Sequence, residues 1–186
     1  IMSFNLSPET FIASEKGCKQ IGIKIEDVVQ QLKDDDIKYV DTGKHGDLFG
    51  ERYLFYSQEH KLGLLPYVLK KLFLKRVEIN RALKAGEYSG DEKIAMDKRQ
   101  WAYKLILNSA YGAMGFNFFR LYKPEVADAI TFFARQALKF AVLEFQGYGH
   151  KTLYGDTDSI FVKSAGANEE QMVKKLDVFN ESLKEN

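Results

Sequence analysis

Two long stretches of helical periodicity follow one another in this chain with only a short break between them. From Leu65 to about Ala85, Leu65, Leu69, Leu72, Ile79 and Leu83 keep spacings of three, four or seven, and Arg76 holds the one position in that row that is not apolar. The break "AGEYSGDEK" contains Ser89 and, three residues on, Glu92, the spacing of a capping box that opens the next helix. That helix is expected to run through "KRQWAYKLILNSAYGAMG" until Gly112 and Gly115 stop it. Helices joined by about five residues must return antiparallel, so residues equidistant from the turn face each other. With the turn centred near Tyr88, Arg76 lies 12 residues before it and Lys104 lies 16 after it. The mismatch of four residues is roughly 6 Å along the axis, within reach of two long cationic side chains gripping one anion.

Lys104, Asn108 and Tyr111 fall within roughly 60° of one another on a helix, so a cation, an amide and a phenol share a face. A forked guanidinium, a point-charge ammonium and an amide donor suit a polyphosphate. The same spacing also describes an arginine snorkelling from a helix seam beside solvated lysine and asparagine, and spacing alone leaves both readings open. Charge distribution adds a local bias. The net charge of the 186 residues is only +1, yet Lys61 to Lys104 holds 11 Lys or Arg against 5 Asp or Glu. A nucleic-acid footprint spread over the whole domain is therefore absent, and the positive charge is concentrated on the helical pair.

The rest of the chain mixes elements. Ile25 to Asp36 reads as a short helix closing in a solvated acidic run, "DTGKHGDLFG" as turn chemistry, and "RYLFYS" as a strand. Pro124 opens a third long helix closed by Gly147 and Gly149, and an amphipathic helix starts at about Asn168. Long helices with short strands segregated along the chain predict an α+β fold. Apolar residues make up 45% of the chain, enough for a core. The single Cys18 cannot form an internal disulfide, which points to a reducing compartment. No apolar run is long enough to cross a bilayer, and "IMSFNLSPET" lacks the regions of a signal peptide. A soluble intracellular protein is expected. The opening at Ile1 and the close inside a charged helical pattern suggest a piece of something larger.

"KTLYGDTDSIFV", residues 151 to 162, reads as a hairpin with Asp156 and Asp158 at its tip. Residues i and i+2 of an extended strand point to one side, so the two carboxylates can project together. Asp and Thr also favour tight turns without further purpose. The apolar flanks, Leu153 and Tyr154 before and Ile160, Phe161 and Val162 after, predict buried strands, where carboxylates are costly unless they meet a cation. Oxygen ligands in a site that handles phosphate indicate Mg²⁺, with Mn²⁺ as the alternative.

These motifs carry a resemblance. "YGDTDS" at 154 to 159 resembles the signature hairpin of family B DNA polymerases, and "KLILNSAYG" at 104 to 112 resembles that family's K-x-x-x-N-S-x-Y-G finger helix. "NLSPET" at 5 to 10 is similar to the segment after the family's first carboxylate motif, and "YGAMGFNFFRLY" and "AITFFARQAL" resemble its phage and archaeal branches. The resemblance implies a palm, a small antiparallel sheet with flanking helices, from 1 to 64 and again from 115 to 186. It also implies an inserted fingers hairpin from 65 to 114. Asp158 would be a principal ligand of two catalytic metals and Asp156 a neighbour of lesser role. Arg76, Lys104 and Asn108 would take the incoming deoxynucleoside triphosphate, and Tyr111 and Gly112 would lie against the nascent base pair. Primer-template DNA would be the other partner.

The resemblance also marks what is missing. The first carboxylate motif, D-x-x-S-L-Y-P-S, is expected immediately before Ile1, and its aspartate is the second essential metal ligand. A K-K-R-Y motif, the thumb and the exonuclease domain are likewise expected elsewhere, and Glu9 shows no pattern that makes it a substitute. The 186 residues alone are therefore expected to be inactive. Two other readings stand beside this one: a noncatalytic nucleic-acid-binding or structural relative, and a split polymerase whose partner chain supplies the first motif.

Overall fold

A computed structural model of the chain describes residues 1–45, 52–157, 159–163, 166 and 169–185. Its elements fall into two units, Ile1–Ile130 and Thr131–Asn186. The first unit is built on a three-stranded antiparallel sheet of β1 (Phe11–Ser14), β2 (Tyr39–Asp41) and β3 (Tyr53–Tyr56), in the order β1-β3-β2. Tyr53, Leu54 and Phe55 of the central strand are all buried. Phe55 meets Phe11 edge to face at 5.6 Å. Leu54 packs instead into a cluster with Cys18 of α1 (Glu15–Gln20) and Ile25, Val29 and Leu32 of α2 (Ile25–Asp34). The α2 residues recur at i, i+4 and i+7, one helical stripe, and Cys18 serves there as a small apolar residue. At the end of the sheet Arg52 forks onto Asp41, Nε to Oδ1 at 3.0 Å and Nη2 to Oδ2 at 2.8 Å. The Asp41 side chain is only 2% exposed, so the fork supplies the partner that a buried carboxylate requires. Of the turn read at 41–50, residues 46–50 lie outside the described ones.

The two long periodic segments are α3 (Leu64–Ala85) and α4 (Gly90–Met114), which pack against each other. Leu69, Ile79 and Ala82 are buried on α3, and Gln100 and Met114 on α4. Two expectations need correction. Ser89 precedes α4 and its carbonyl accepts the Lys93 amide at 3.3 Å, but its side chain makes no capping bond. The reason is Gly90, whose φ of +53° takes the entry through the left-handed region, so the capping-box geometry never forms. Gly112 likewise does not stop α4, which continues through it and ends only at Gly115.

The second unit continues α5 (Pro124–Gly147), adds the two-stranded antiparallel sheet of β4 (Lys151–Asp156) and β5 (Ser159–Lys163), and ends with α6 (Glu169–Glu185). Phe179 of α6 packs on Phe140 and Phe145 of α5 at 5.9 and 5.8 Å. The strands flanking the hairpin tip are not buried, contrary to expectation. Leu153, Tyr154 and Phe161 are each about three-fifths exposed. A sheet of two strands has little to cover it, and along β5 only Ile160 and Val162 are half-buried. Helices with small antiparallel sheets make the fold α+β. Among the described residues no helix is long and apolar enough to cross a membrane.

Candidate functional site

The antiparallel pairing of α3 and α4 fixes which side chains meet. Arg76 donates Nε to Oε1 of Gln100 at 3.4 Å, and Gln100 in turn donates Nε2 to Asp97 Oδ1 at 3.1 Å. Gln100 lies 12 residues beyond Tyr88, as far after the turn as Arg76 lies before it. Its side chain is buried, whereas Arg76 is half-buried. Lys104 sits one turn further along α4 on the Gln100 side, also half-buried, with Nζ over the Trp101 ring at 4.4 Å. The indole face holds the ammonium by cation–π attraction without neutralising it. Asn108 follows one turn on, and both it and Tyr111 are exposed. The helix pair thus brings Arg76, Gln100 and Lys104 to one stretch of its seam, with Asn108 and Tyr111 continuing the line along α4.

Gln100 did not enter the sequence reading, although the same counting from Tyr88 places it opposite Arg76. A neutral amide carries no charge signal, unlike the cation one turn beyond.

Gly112 lies inside α4, and a Cβ added there would meet nothing within 4 Å. A glycine in a helix interior costs roughly 1 kcal/mol relative to alanine. Among the described residues no neighbour requires the missing side chain.

In the other unit, Asp156 ends β4 and pairs in register with Ser159, leaving a two-residue connection at the hairpin tip. Thr157 has a φ of +52°. The left-handed region is unfavourable for a β-branched residue, by about 1–2 kcal/mol. Its hydroxyl donates to Asp156 Oδ1 at 3.0 Å, and Ser159 Oγ donates to the Asp156 carbonyl at 3.3 Å. The Asp156 carboxylate is exposed and makes no ion pair among the described residues. Asp158, the metal ligand expected from sequence, lies outside the described residues. Among the described residues no three His, Cys, Asp or Glu side chains gather as a metal cluster.

Residues 1–186 match the family model described as DNA polymerase family B. The DNA polymerase of Archaeoglobus fulgidus is 36% identical over 121 residues, which are 65% of this chain and 16% of that protein. The DNA polymerase alpha catalytic subunit of Mus musculus is 32% identical over 114 residues, 61% of this chain and 8% of the mouse protein. The DNA polymerase of Trichoplusia ni ascovirus 2c is 40% identical over 103 residues, 54% of this chain and 10% of the viral protein. The chain thus spans a sixth or less of the length of these relatives.

Proposed function

The chain belongs to DNA polymerase family B, and from that membership we propose that its residues form the fingers and part of the palm of a template-directed DNA polymerase. Residues 65–114 are the fingers, and 1–64 and 115–186 are palm. The substrates of the whole polymerase are primer-template DNA and deoxynucleoside triphosphates.

The observation that carries this reading is the seam of the helix pair, where Arg76 is seated on Gln100 and Lys104 follows Gln100 by one turn of α4. Arg76 offers its guanidinium fork to the triphosphate, Lys104 a single mobile charge, and Asn108 a neutral donor. These groups neutralise charge that grows on the phosphates and hold the nucleotide for attack by the primer 3′-hydroxyl. Tyr111 and the bare backbone of Gly112 lie against the nascent base pair, whose shape they test.

Asp156 and Asp158 are the carboxylates of the hairpin turn that would hold divalent cations. The exposed, unpaired Asp156 suits a hard ion such as Mg²⁺ or Mn²⁺. Divalent ions held there would supply Lewis-acid activation of the primer hydroxyl and charge stabilisation for the leaving pyrophosphate. The family's reaction also needs the aspartate of D-x-x-S-L-Y-P-S, a motif that these 186 residues do not contain. The 186-residue chain alone is therefore inactive in primer extension.

Two experiments test the proposal. In a full-length polymerase carrying this segment, Lys104→Ala should raise the KM for deoxynucleotides about tenfold or more and leave the primer-template Kd within twofold. An unchanged KM removes the clamp. With the 186-residue chain alone, incorporation of labelled nucleotide that is abolished by Asp158→Ala would show that the fragment is catalytic after all.

A further inference from the structure

The segment Asn5–Glu9 is bonded to the start of α3, amide by amide. A helix leaves its first N–H groups without partners. Here Gly63 N donates to Asn5 Oδ1 at 2.8 Å, Leu64 N to Glu9 Oε1, and Leu65 N to Ser7 Oγ at 3.2 Å. The next residue is Pro66, which has no N–H, so every early amide of α3 is accounted for. The segment is itself fixed. Asn5 is fully buried and its Nδ2 donates to the carbonyls of Tyr56 and Lys61 at 2.8 and 2.7 Å, tying it to the end of β3. Ser7 Oγ donates to Glu9 Oε2 at 2.7 Å, and Lys61 Nζ donates to the Glu9 carbonyl at 2.9 Å.

Gly63 supplies an independent sign that contact here is close. Its φ of −70° is open to any residue, but an added Cβ would lie 2.9 Å from Ser7 Cβ and 3.1 Å from Asn5 Oδ1. Glycine is needed for the approach, not for the backbone angle. At the opposite end of the hairpin no such fastening is found among the described residues, since Ser89 makes no side-chain cap and Gly86 is exposed.

We infer that Asn5, Ser7 and Glu9 are positioning residues that fix the base of α3 and thereby aim Arg76 at the triphosphate. The inference rests on the nucleotide-binding reading of the helix pair. Arg76 lies about 20 Å along the axis from Gly63, so a 10° tilt at the base moves it by roughly 3 Å. Displacements of that size matter, because misplacement by about 1 Å can cost a hundredfold in rate.

The test uses a full-length polymerase carrying this segment, with Glu9→Ala, Glu9→Gln and Lys104→Ala compared. Glu9→Ala should speed hydrogen exchange at Leu64 and Leu65 about tenfold, leaving the Glu87–Lys93 tip unchanged. It should also raise the deoxynucleotide KM severalfold with the primer-template Kd unchanged. Glu9→Gln, which keeps an acceptor, should restore most of both. If Glu9→Ala does not fold, Ser7→Ala removes the Leu65 bond and the Ser7–Glu9 bond but keeps the Leu64 bond, and should give a smaller change of the same kind. Unchanged exchange at Leu64 and Leu65 overturns the inference. So does faster exchange with an unchanged KM when Lys104→Ala raises it, and the nucleotide-binding reading then stands. If Lys104→Ala also leaves KM unchanged, that reading fails and takes the positioning role with it.

Discussion

Gln100 Oε1 accepts the Nε hydrogen of Arg76 across the α3–α4 seam at 3.4 Å, and among the described residues the two terminal guanidinium nitrogens have no partner. The amide therefore occupies Nε and leaves the two terminal nitrogens for an end-on bidentate contact. Asp97 holds the far side of the same amide.

Removing that seat should act through Arg76. A hydrogen bond to a charged group contributes about 1.5–3 kcal/mol, and at 3.4 Å the lower part of that range applies. Gln100→Ala is expected to raise the deoxynucleotide KM about tenfold in a full-length polymerase carrying this segment. The same substitution placed on Arg76→Ala should add little, because both act on one interaction. Steady-state kinetics of the two single variants and the double variant check this, and full additivity would disconnect Gln100 from Arg76.

Gly112 offers a case in which stability and activity should part. An alanine there meets nothing within 4 Å and removes the glycine penalty in the helix interior. Gly112→Ala should stabilise the chain to urea by about 0.5–1 kcal/mol. In the full-length polymerase it should lower the incorporation rate, because the open backbone is proposed to lie against the base pair. Unimpaired incorporation would mean that the glycine has no such role.

How much of this was legible beforehand depends on the range of the interactions. The helix pair, the third helix and the hairpin were visible because periodicity and glycine or proline stops are local signals. The failures were those of context. Ser89 and Glu92 have the capping-box spacing, but the left-handed Gly90 between them makes that spacing irrelevant. Leu153, Tyr154 and Phe161 look like buried strand residues, yet a two-stranded sheet leaves them exposed. Nothing local announced that Glu9 would meet Leu64, 55 residues away. Gln100 stands where counting from Tyr88 puts the partner of Arg76, but a neutral amide carries no charge to mark it.

Thr157 carries strain that a tolerant residue would relieve. Its φ of +52° suits asparagine better than a β-branched side chain. Thr157→Asn should therefore raise the unfolding free energy of the chain by about 0.5–1 kcal/mol. Loss of the hydroxyl that now bonds Asp156 should at the same time change the Mg²⁺ concentration for half-maximal activity of the full-length polymerase. Urea denaturation and a Mg²⁺ titration check the two halves, and a destabilised variant would contradict the strain argument.

Glu9 couples the base of α3 to pH, and the sign follows from its surroundings. Partial burial pushes the carboxyl up, but the bonds from Ser7 and the Leu64 amide and the charge of Lys61 outweigh it, leaving the pKa below the usual range. A carboxyl whose folded pKa is depressed contributes stability that is complete above its unfolded pKa and disappears as pH falls through its folded value. Glu9→Gln keeps the shape and cannot titrate. The wild-type chain should therefore be the more stable of the two at pH 7, and the gap should close as pH is lowered through the acidic range. Urea unfolding at intervals from pH 7 to pH 3 measures that gap, after subtraction of the slope that all other carboxylates share. A gap that stays constant or widens toward acid would mean that the ionised form of Glu9 is not what α3 binds, because protonation would then cost the wild type nothing.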